Sequence, residues 1–588
     1  MQRNSLGRSL RSVGQLGLML ATGALIGGGC NCNGDDGNEG EGEGEGEGEG
    51  KGEGEGEGEG EGEGEGEGEG EGEGEGEGEG EGGADGPSGN ETNLHPHETG
   101  DATLGKDVFR FETFGNENFW TDAVKMPQGI VAAGLTPLQA IGVGLSVNVE
   151  PLPQATRDVI VAELANPAGG QPTLNNPATT IALINANAVI GVVAVDSNNN
   201  GTIDVAAGDK VGVSCALCHA TTDGSVLANP LGGGTIGIEI DGPTPHNLNV
   251  GAIFATAANT RALYPISQVA FNDTLAGATT GRKPGFPGLT EASDEAAFDA
   301  YFSDPVAYPV GMFDDQPDGT GAPMHITPMF RSDLAAPYGS EGAISKLDNF
   351  SNLVYSLLFD LRNLNSAGGR AFMETLGEQA GLEIVNDYVE ILTATGVPTT
   401  GAIELAVTDG TAGEERTPIG VRVDEAKLLG LSAYMDGLEA PAAPAGDAAA
   451  IENGRAQFRV SCTSCHNVDQ SRFVPSIVVP MQDMFPATNP VLALERDPLP
   501  DAINDVDSIF DDKMIIVNAS LRGDVRGIAL PLLLDLARKP VFLHDNSVED
   551  LNTLLDPARG ADVPHPFYVD NTGDRADMVE FLESLDTE

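Results

Sequence analysis

The chain has 588 residues, 40% of them apolar, only 5% aromatic, with 80 glycines. That is room for two to four ordinary domains with real cores, in an Ala/Gly-rich fold with much loop. Acidic residues outnumber basic ones 91 to 30, for a net charge of −61, which argues against nucleic acid as a partner, because phosphate binding needs clustered Lys and Arg.

Residues 1–29 read as an export signal. Arg3, Arg8 and Arg11 precede an apolar run from Leu16 to Ile26, too short for a convincing spanning helix, and small residues follow. Gly29-Cys30 resembles the end of a bacterial lipoprotein signal, with Gly27 where that motif usually has Leu. Acylation of Cys30 would anchor the chain to a membrane. The alternative is ordinary cleavage that leaves Cys30 and Cys32 free or oxidised. Residues 30–92 contain a Glu-Gly repeat over 39–82, broken only by Lys51. Such a tract cannot bury a core and is expected to be disordered. As a flexible coil it reaches roughly 35–40 Å, extended further by self-repulsion, and reads as a stalk. A harmless product of repeat slippage is the alternative. Signal and stalk imply an exported protein, periplasmic or on the outer surface.

The folded part is expected over 93–440 and 449–588. LGKDVFRF (104–111) reads as a helix with Gly105 and Phe109 one turn apart. DSNNNGTIDVAAGD (196–209) sets Asp196, Asn198, Asn200, Gly201 and Asp204 at EF-hand spacing, but position 207 is Ala rather than Glu. A bound calcium ion is one reading; a polar hairpin turn at Asn200-Gly201 is the other. KLDNFSNLVYSLLFDL (346–361) aligns Phe350, Leu353, Val354, Leu357, Leu358 and Leu361 on one helical face, the pattern of a core helix. DEAKLLGLSAYMDGLEA (424–440) reads as a helix closing the first half, and 441–448, opening PAAPAG, as a linker. AAAIENGRAQFRVSCTSCH (448–466) repeats the Gly-Phe spacing at Gly454 and Phe458. RADMVEFLESLDTE (575–588) ends the chain with Met578, Val579, Leu582 and Leu585 at helical spacing.

Two of the six cysteines, Cys30 and Cys32, belong to the leader region. The other four form two identical patterns, CALCH (Cys215, Cys218, His219) and CTSCH (Cys462, Cys465, His466). Haem carries two vinyl groups on neighbouring edges. Two thiols three positions apart on one helical turn can reach both as thioethers, and a histidine one step on can point at the iron; C-x-x-C-H therefore reads as c-type haem attachment. Structural zinc wants four N/S ligands, and each site offers three. A joint zinc site of four thiolates leaves the repeated histidine unexplained, and a redox dithiol does not require it. Two covalent haems, with His219 and His466 as proximal ligands, are expected.

With these motifs on the page, the chain resembles the diheme members of the bacterial cytochrome c peroxidase superfamily and, more distantly, the diheme rubber oxygenases. Both CxxCH sites carry the resemblance, with LRG…ARKPVFLHDNSVEDLNTLL (521–555), where Asn546 replaces a usual Gly, and with FETFGNENFWTD (111–122) and NLNVGAIFA (247–255). It is specific over 449–588 and loose elsewhere. It implies a mainly α fold: two cytochrome c-like helical haem modules, each with a first helix, a haem turn and a terminal helix across the first. The first module is enlarged by long loop and hairpin insertions. The inter-haem tryptophan of the peroxidases follows their first haem motif, whereas Trp120 precedes it here, so that role is not transferred.

The sixth ligand decides between an electron carrier and a haem open to peroxide or oxygen. The resemblance implies His565, in VPHPFYV before the terminal helix, as distal ligand of the second haem, with His544 as second candidate. The family's distal Met would fall near Ala558, which cannot ligate. Met481, Met484 and Met514 also stand as candidates, and His565 also reads as a surface-loop histidine between prolines. The stretch 400–423 has no His or Met. A first-haem ligand must then come from His246, Met324, His325 or Met329, or be lacking. Two functions follow: an oxidoreductase using one haem for chemistry and one for electron transfer, or an electron-transfer cytochrome with both haems six-coordinate. Either needs a redox partner, such as a small cytochrome, a cupredoxin or a quinone-linked donor.

Overall fold

The computed structural model describes residues 97–229, 234–271, 289–305, 308–313, 324–339, 344–401, 410–463, 465–471, 473, 478–480, 527–543, 546, 548–560 and 565–587. All belong to one compact unit, Asn90–Glu588. The export signal, Cys30, Cys32 and the Glu-Gly tract lie outside the described residues. The architecture is mainly helical with short strands. No described helix is long and apolar enough to cross a membrane.

The site is framed by α1 (Ala102–Phe111), α2 (Leu347–Leu353), α3 (Ala367–Ala394), α4 (Glu425–Asp436), α5 (Ala448–Ser461) and α6 (Thr572–Glu583). Helices α1, α4, α5 and α6 start at Asp101, Asp424, Asp447 and Asn571, whose side chains accept hydrogen bonds from first-turn N–H groups. These caps satisfy donors that a helix start otherwise leaves open.

Helices α1 and α4 pack as one pair, α5 and α6 as another. Both pairs cross at a glycine. A Cβ on Gly105 would stand 1.8 Å from the Gly430 carbonyl oxygen; one on Gly454 would stand 2.1 Å from that of Asp577. One turn on, Phe109 meets Tyr434 at 5.7 Å between ring centres, and Phe458 meets Phe581 at 5.4 Å. The Gly-Phe repeat in the sequence is thus the signature of two close helix crossings. The segment between the pairs is strapped down: the N–H groups of Ala440, Ala443 and Asp447 donate to Thr587, Asp586 and Glu580 at the chain end.

The first half differs from the loop and hairpin insertions expected of it. Hairpins are there, among them β2 (Val192–Val195) against β3 (Lys210–Val213), following β1 (Val147–Asn148), and Ala412–Glu414 against Thr417–Ile419. After it come β4 (Ala220–Thr222), β5 (Leu227–Ala228), β6 (Gly234–Gly237) and β7 (Glu239–Asp241). They form a mixed sheet in the order β1-β6-β4-β7, with β5 also on β6. The β1–β6 pairing is parallel, Val147 opposite Ile236. Strands of two to four residues rich in Gly and Thr carry no readable alternation, and a parallel pair this far apart in sequence leaves no local turn signal.

The expected core helix at 346–361 is also broken. After α2 the chain makes a π turn over Val354–Leu358, closed by the Phe359 N–H on the Val354 carbonyl at 3.0 Å. Leu357 and Leu361 stay buried in the core, while Phe350, Val354, Tyr355 and Phe359 line a cavity. The surplus residue in the turn gives Phe359 the cavity-side place that a continuous α-helix would give residue 358.

Candidate functional site

The CALCH turn sits between β3 and β4. Ser214 holds its start against α1 by donating from Oγ to the Arg110 carbonyl at 2.8 Å. The N–H groups of Cys218 and His219 both point back to the Cys215 carbonyl, at 3.3 and 3.2 Å. Both cysteines and the histidine therefore share one helical turn. Gly191, at φ 71°, passes beneath; a Cβ there would lie 2.0 Å from the Leu217 nitrogen.

His219 Nδ1 lies 3.0 Å from the Thr327 carbonyl oxygen. A carbonyl can only accept, so Nδ1 carries the proton and Nε2 keeps its lone pair, the arrangement of a metal-bound imidazole with an oriented ring. Burial draws this histidine down to about 4, so it is neutral at physiological pH. Cys215 Sγ meets the Tyr355 hydroxyl at 3.2 Å, and burial pushes its thiol up to about 11. A thiol this reluctant to ionise is a poor redox nucleophile. None of the four motif cysteines is in a disulfide.

In front of the turn lies a cavity of about 320 Å³, walled by Cys215, Cys218, His219, His325, Tyr338 and Tyr355 among others. That is the size range of cofactor pockets, about 300–1,000 Å³. Among the described residues its lining contains no carboxylate and no Lys or Arg.

The CTSCH turn repeats the pattern at the end of α5. The N–H groups of Cys465 and His466 return to the Cys462 carbonyl at 3.1 and 2.9 Å. The His466 ring stands 6.4 Å, centre to centre, from the His565 ring. With metal–nitrogen bonds of roughly 2.0–2.1 Å, two imidazoles on opposite sides of one metal have centres about 6.3 Å apart. His565 has no hydrogen bond at Nδ1 and sits at φ 54°, a left-handed conformation that costs energy outside glycine and clusters at functional sites. Burial and neighbouring His466 draw it down to about 4. His219 has no such ring partner among the described residues, only the carbonyl behind it. Both donor sets thus fit a haem c: two thiols and an imidazole on one turn, with a cavity at the first site and a facing imidazole at the second.

A smaller cavity of about 110 Å³ adjoins Cys465 and His466. Leu530, Pro531, Leu532 and Leu534 line both cavities. One apolar strip of chain is therefore the partition between the two sites.

The other candidates fall as follows. His246 and His325 stack at 5.5 Å and 15°, and His325 lines the first cavity. Met329 lines it too. Met324 pairs as a strand residue in Met324–His325. His544, Met481, Met484 and Met514 lie outside the described residues. Asn546 adopts φ 56°; a left-handed position explains why Asn can stand for Gly there. Trp120 stacks on Phe254 at 5.9 Å and lines a separate apolar cavity, away from the partition. The 196–209 loop joins β2 to β3. Asp196 accepts from the Asn200 and Gly201 N–H groups, and Asp209 from those of Ser197 and Asp204. The loop closes the antiparallel β2–β3 hairpin, with both carboxylates turned onto backbone N–H groups. Sequence reasoning missed the Thr327 carbonyl, Tyr355 and the 530–534 partition. A backbone acceptor leaves no residue-type signal, and Tyr355 meets Cys215 from 140 positions away in the chain.

No protein-family model matches the chain, and no curated protein matches it. Among solved structures it is similar to hydrazine synthase of Kuenenia stuttgartiensis, pressurized with 20 bar xenon, at 15% identity over 55% of this chain and 87% of that one, with a TM-score of 0.22. Similarity at that level supports no statement about fold or function.

Proposed function

We propose that this chain is an exported diheme c-type oxidoreductase, peroxidase- or oxygenase-like, with a chemical site at the Cys215–His219 turn and an electron-transfer site at the Cys462–His466 turn. The asymmetry of two otherwise matched turns carries this reading: His466 faces a second imidazole and His219 faces a cavity. When bound, haem c supplies a one-electron centre, and an axial position left open adds a place for peroxide or dioxygen.

The chain's own residues do the rest. Thr327 holds the His219 ring in the tautomer that presents Nε2. His466 and His565 would close both faces of the second site and keep substrate away from it. The leucine-proline partition keeps the two sites adjacent and the gap between them dry, which suits electron passage. Export, membrane anchoring through Cys30 and a small cytochrome, cupredoxin or quinone-linked donor complete the proposal.

A second reading, an electron-transfer cytochrome with both haems six-coordinate, is favoured by Met329, whose side chain lines the first cavity. Absorption and EPR spectra of the oxidised protein, made in cells competent in c-type maturation, separate the two. One low-spin and one high-spin haem, the latter binding cyanide, support the oxidoreductase; two low-spin haems that bind nothing after reduction support the carrier. A pyridine haemochrome count below two haems per chain removes both.

A further inference from the structure

Beside the first cavity lies a small polar corner that the proposed chemistry leaves unused. Pairing of Met312–Phe313 with Met324–His325 brings His325 to the cavity wall, opposite Met312. His246 stacks on it at 5.5 Å. Gly311, at φ 78°, packs so close that a Cβ would stand 2.7 Å from the His246 carbonyl oxygen and 3.7 Å from Asn546 Nδ2. Lys539 comes from the segment after the Leu536–Arg538 turn, its ammonium 5.7 Å from the centre of the Phe542 ring.

Two features of this corner ask for a missing partner. His325 is only 7% exposed, yet neither ring nitrogen has a hydrogen-bond partner; nor do His246 Nδ1 and Asn546 Oδ1. Asn546 stands beside the His325 ring, close enough to favour its protonated form, while its own Oδ1 has no partner. Buried polar atoms left open in this way are costly. The second feature is charge. In a chain with three acids for every base, the charges acting here among the described residues are basic. Burial draws Lys539 down to about 8, and burial with the nearby lysine draws His246 down to about 3; no carboxylate is among the charges acting on any of the three. A buried cation without a counter-ion is held at a loss, and a carboxylate would repair it.

We infer that His246, His325 and Lys539 form a carboxylate-binding corner, and that its occupant is a propionate of the haem proposed for the Cys215–His219 turn. This rests on the proposed haem at that turn. An axial role for His325 fits less well, because its ring makes no contact with the His219 ring of the kind that joins His466 to His565. The three residues are positioning residues: they orient the ring edge and set the charge felt there. A small-molecule carboxylate is the other source of the same chemistry.

The test uses the mature protein, with two haems per chain first verified by pyridine haemochrome; a count without haem at the first turn overturns the inference together with the function it rests on. Spectroelectrochemical titration follows. Removing the cation leaves the propionate charge unopposed and favours ferric iron. Lys539→Met is therefore expected to lower the midpoint potential of the cyanide-binding haem alone, with Lys539→Arg restoring it. Unchanged potentials in variants that keep both haems would overturn the corner and leave the diheme reading standing. Acetate and benzoate titrated into the wild type are expected to leave the Soret band unmoved. A saturable shift that disappears in Lys539→Met would overturn the propionate assignment in favour of a small carboxylate ligand.

Discussion

The rings of His466 and His565 stand 6.4 Å apart between centres, tilted by 52°, although they are 99 positions apart in the chain. Their counterpart His219 is oriented from behind by the Thr327 carbonyl and opens onto a cavity. If the pairing fixes the coordination of the second haem, His565→Ala is expected to convert that haem to partial high spin and to leave the first unchanged. EPR of the oxidised variant reads both at once. Conversion of the first haem, or of neither, would break the link between the pairing and coordination.

The helix crossings make a stability prediction whose sign depends on magnitudes. Gly→Ala inside a helix ordinarily gains up to about 1 kcal/mol. At Gly105 and Gly454 the added methyl would meet a backbone oxygen at 1.8 and 2.1 Å. Overpacking of this sort costs about 1–3 kcal/mol, so each Gly→Ala change should be net destabilising by roughly 1–2 kcal/mol. Gly142→Ala, where nothing lies within 4 Å, is the control and should be neutral or stabilising. Denaturant midpoints of the three variants decide the matter.

Glu239 gives a pH prediction. It lies buried with Asp241 against Arg110 of α1, and Tyr434 of α4 donates to Asp241. Burial, with Asp241 adding to it, raises the Glu239 carboxyl to about 7 despite Arg110. The folded protein then holds a proton there that the unfolded chain releases near pH 4.5, so this group's stabilising contribution is present below about 4.5 and declines as pH rises to 7. Glu239→Gln should flatten that slope and raise stability at pH 8 relative to wild type. Chemical denaturation at pH 5 and pH 8 measures it, and an unchanged slope would reject the assignment.

Anchoring is independent of the fold. If Cys30 is acylated, the native protein partitions into detergent and Cys30→Ser releases it to the aqueous phase. A native protein that is aqueous and begins at another residue would show that the leader is cleaved in the ordinary way.

Much of the frame was legible because it is local. The two CxxCH spacings place thiols and imidazole on one turn by helix geometry alone, and the Gly-Phe pairs at 105/109 and 454/458 mark both crossings. What stayed hidden is non-local. Met312–Phe313 and Met324–His325 assemble the His325 wall across a gap, the parallel β1–β6 pairing joins residues about ninety apart, and the 530–534 partition is an apolar run indistinguishable in sequence from any buried strand. Family resemblance directed attention to His565. The unpartnered nitrogens of His325 became visible only with its surroundings.

The π turn at Val354–Leu358 makes the first cavity sensitive to chain length as well as to composition. A single surplus residue throws everything after it about 100° out of phase with α2. Phe359 lines the cavity by virtue of that offset, beyond the regular face of Phe350, Val354 and Tyr355. Closing the turn into an α-helix of unchanged length would carry Phe359 out of the wall and leave Tyr355 on Cys215. Lineages carrying this segment could therefore remodel the pocket by insertion or deletion, a route invisible to any comparison that scores substitutions alone.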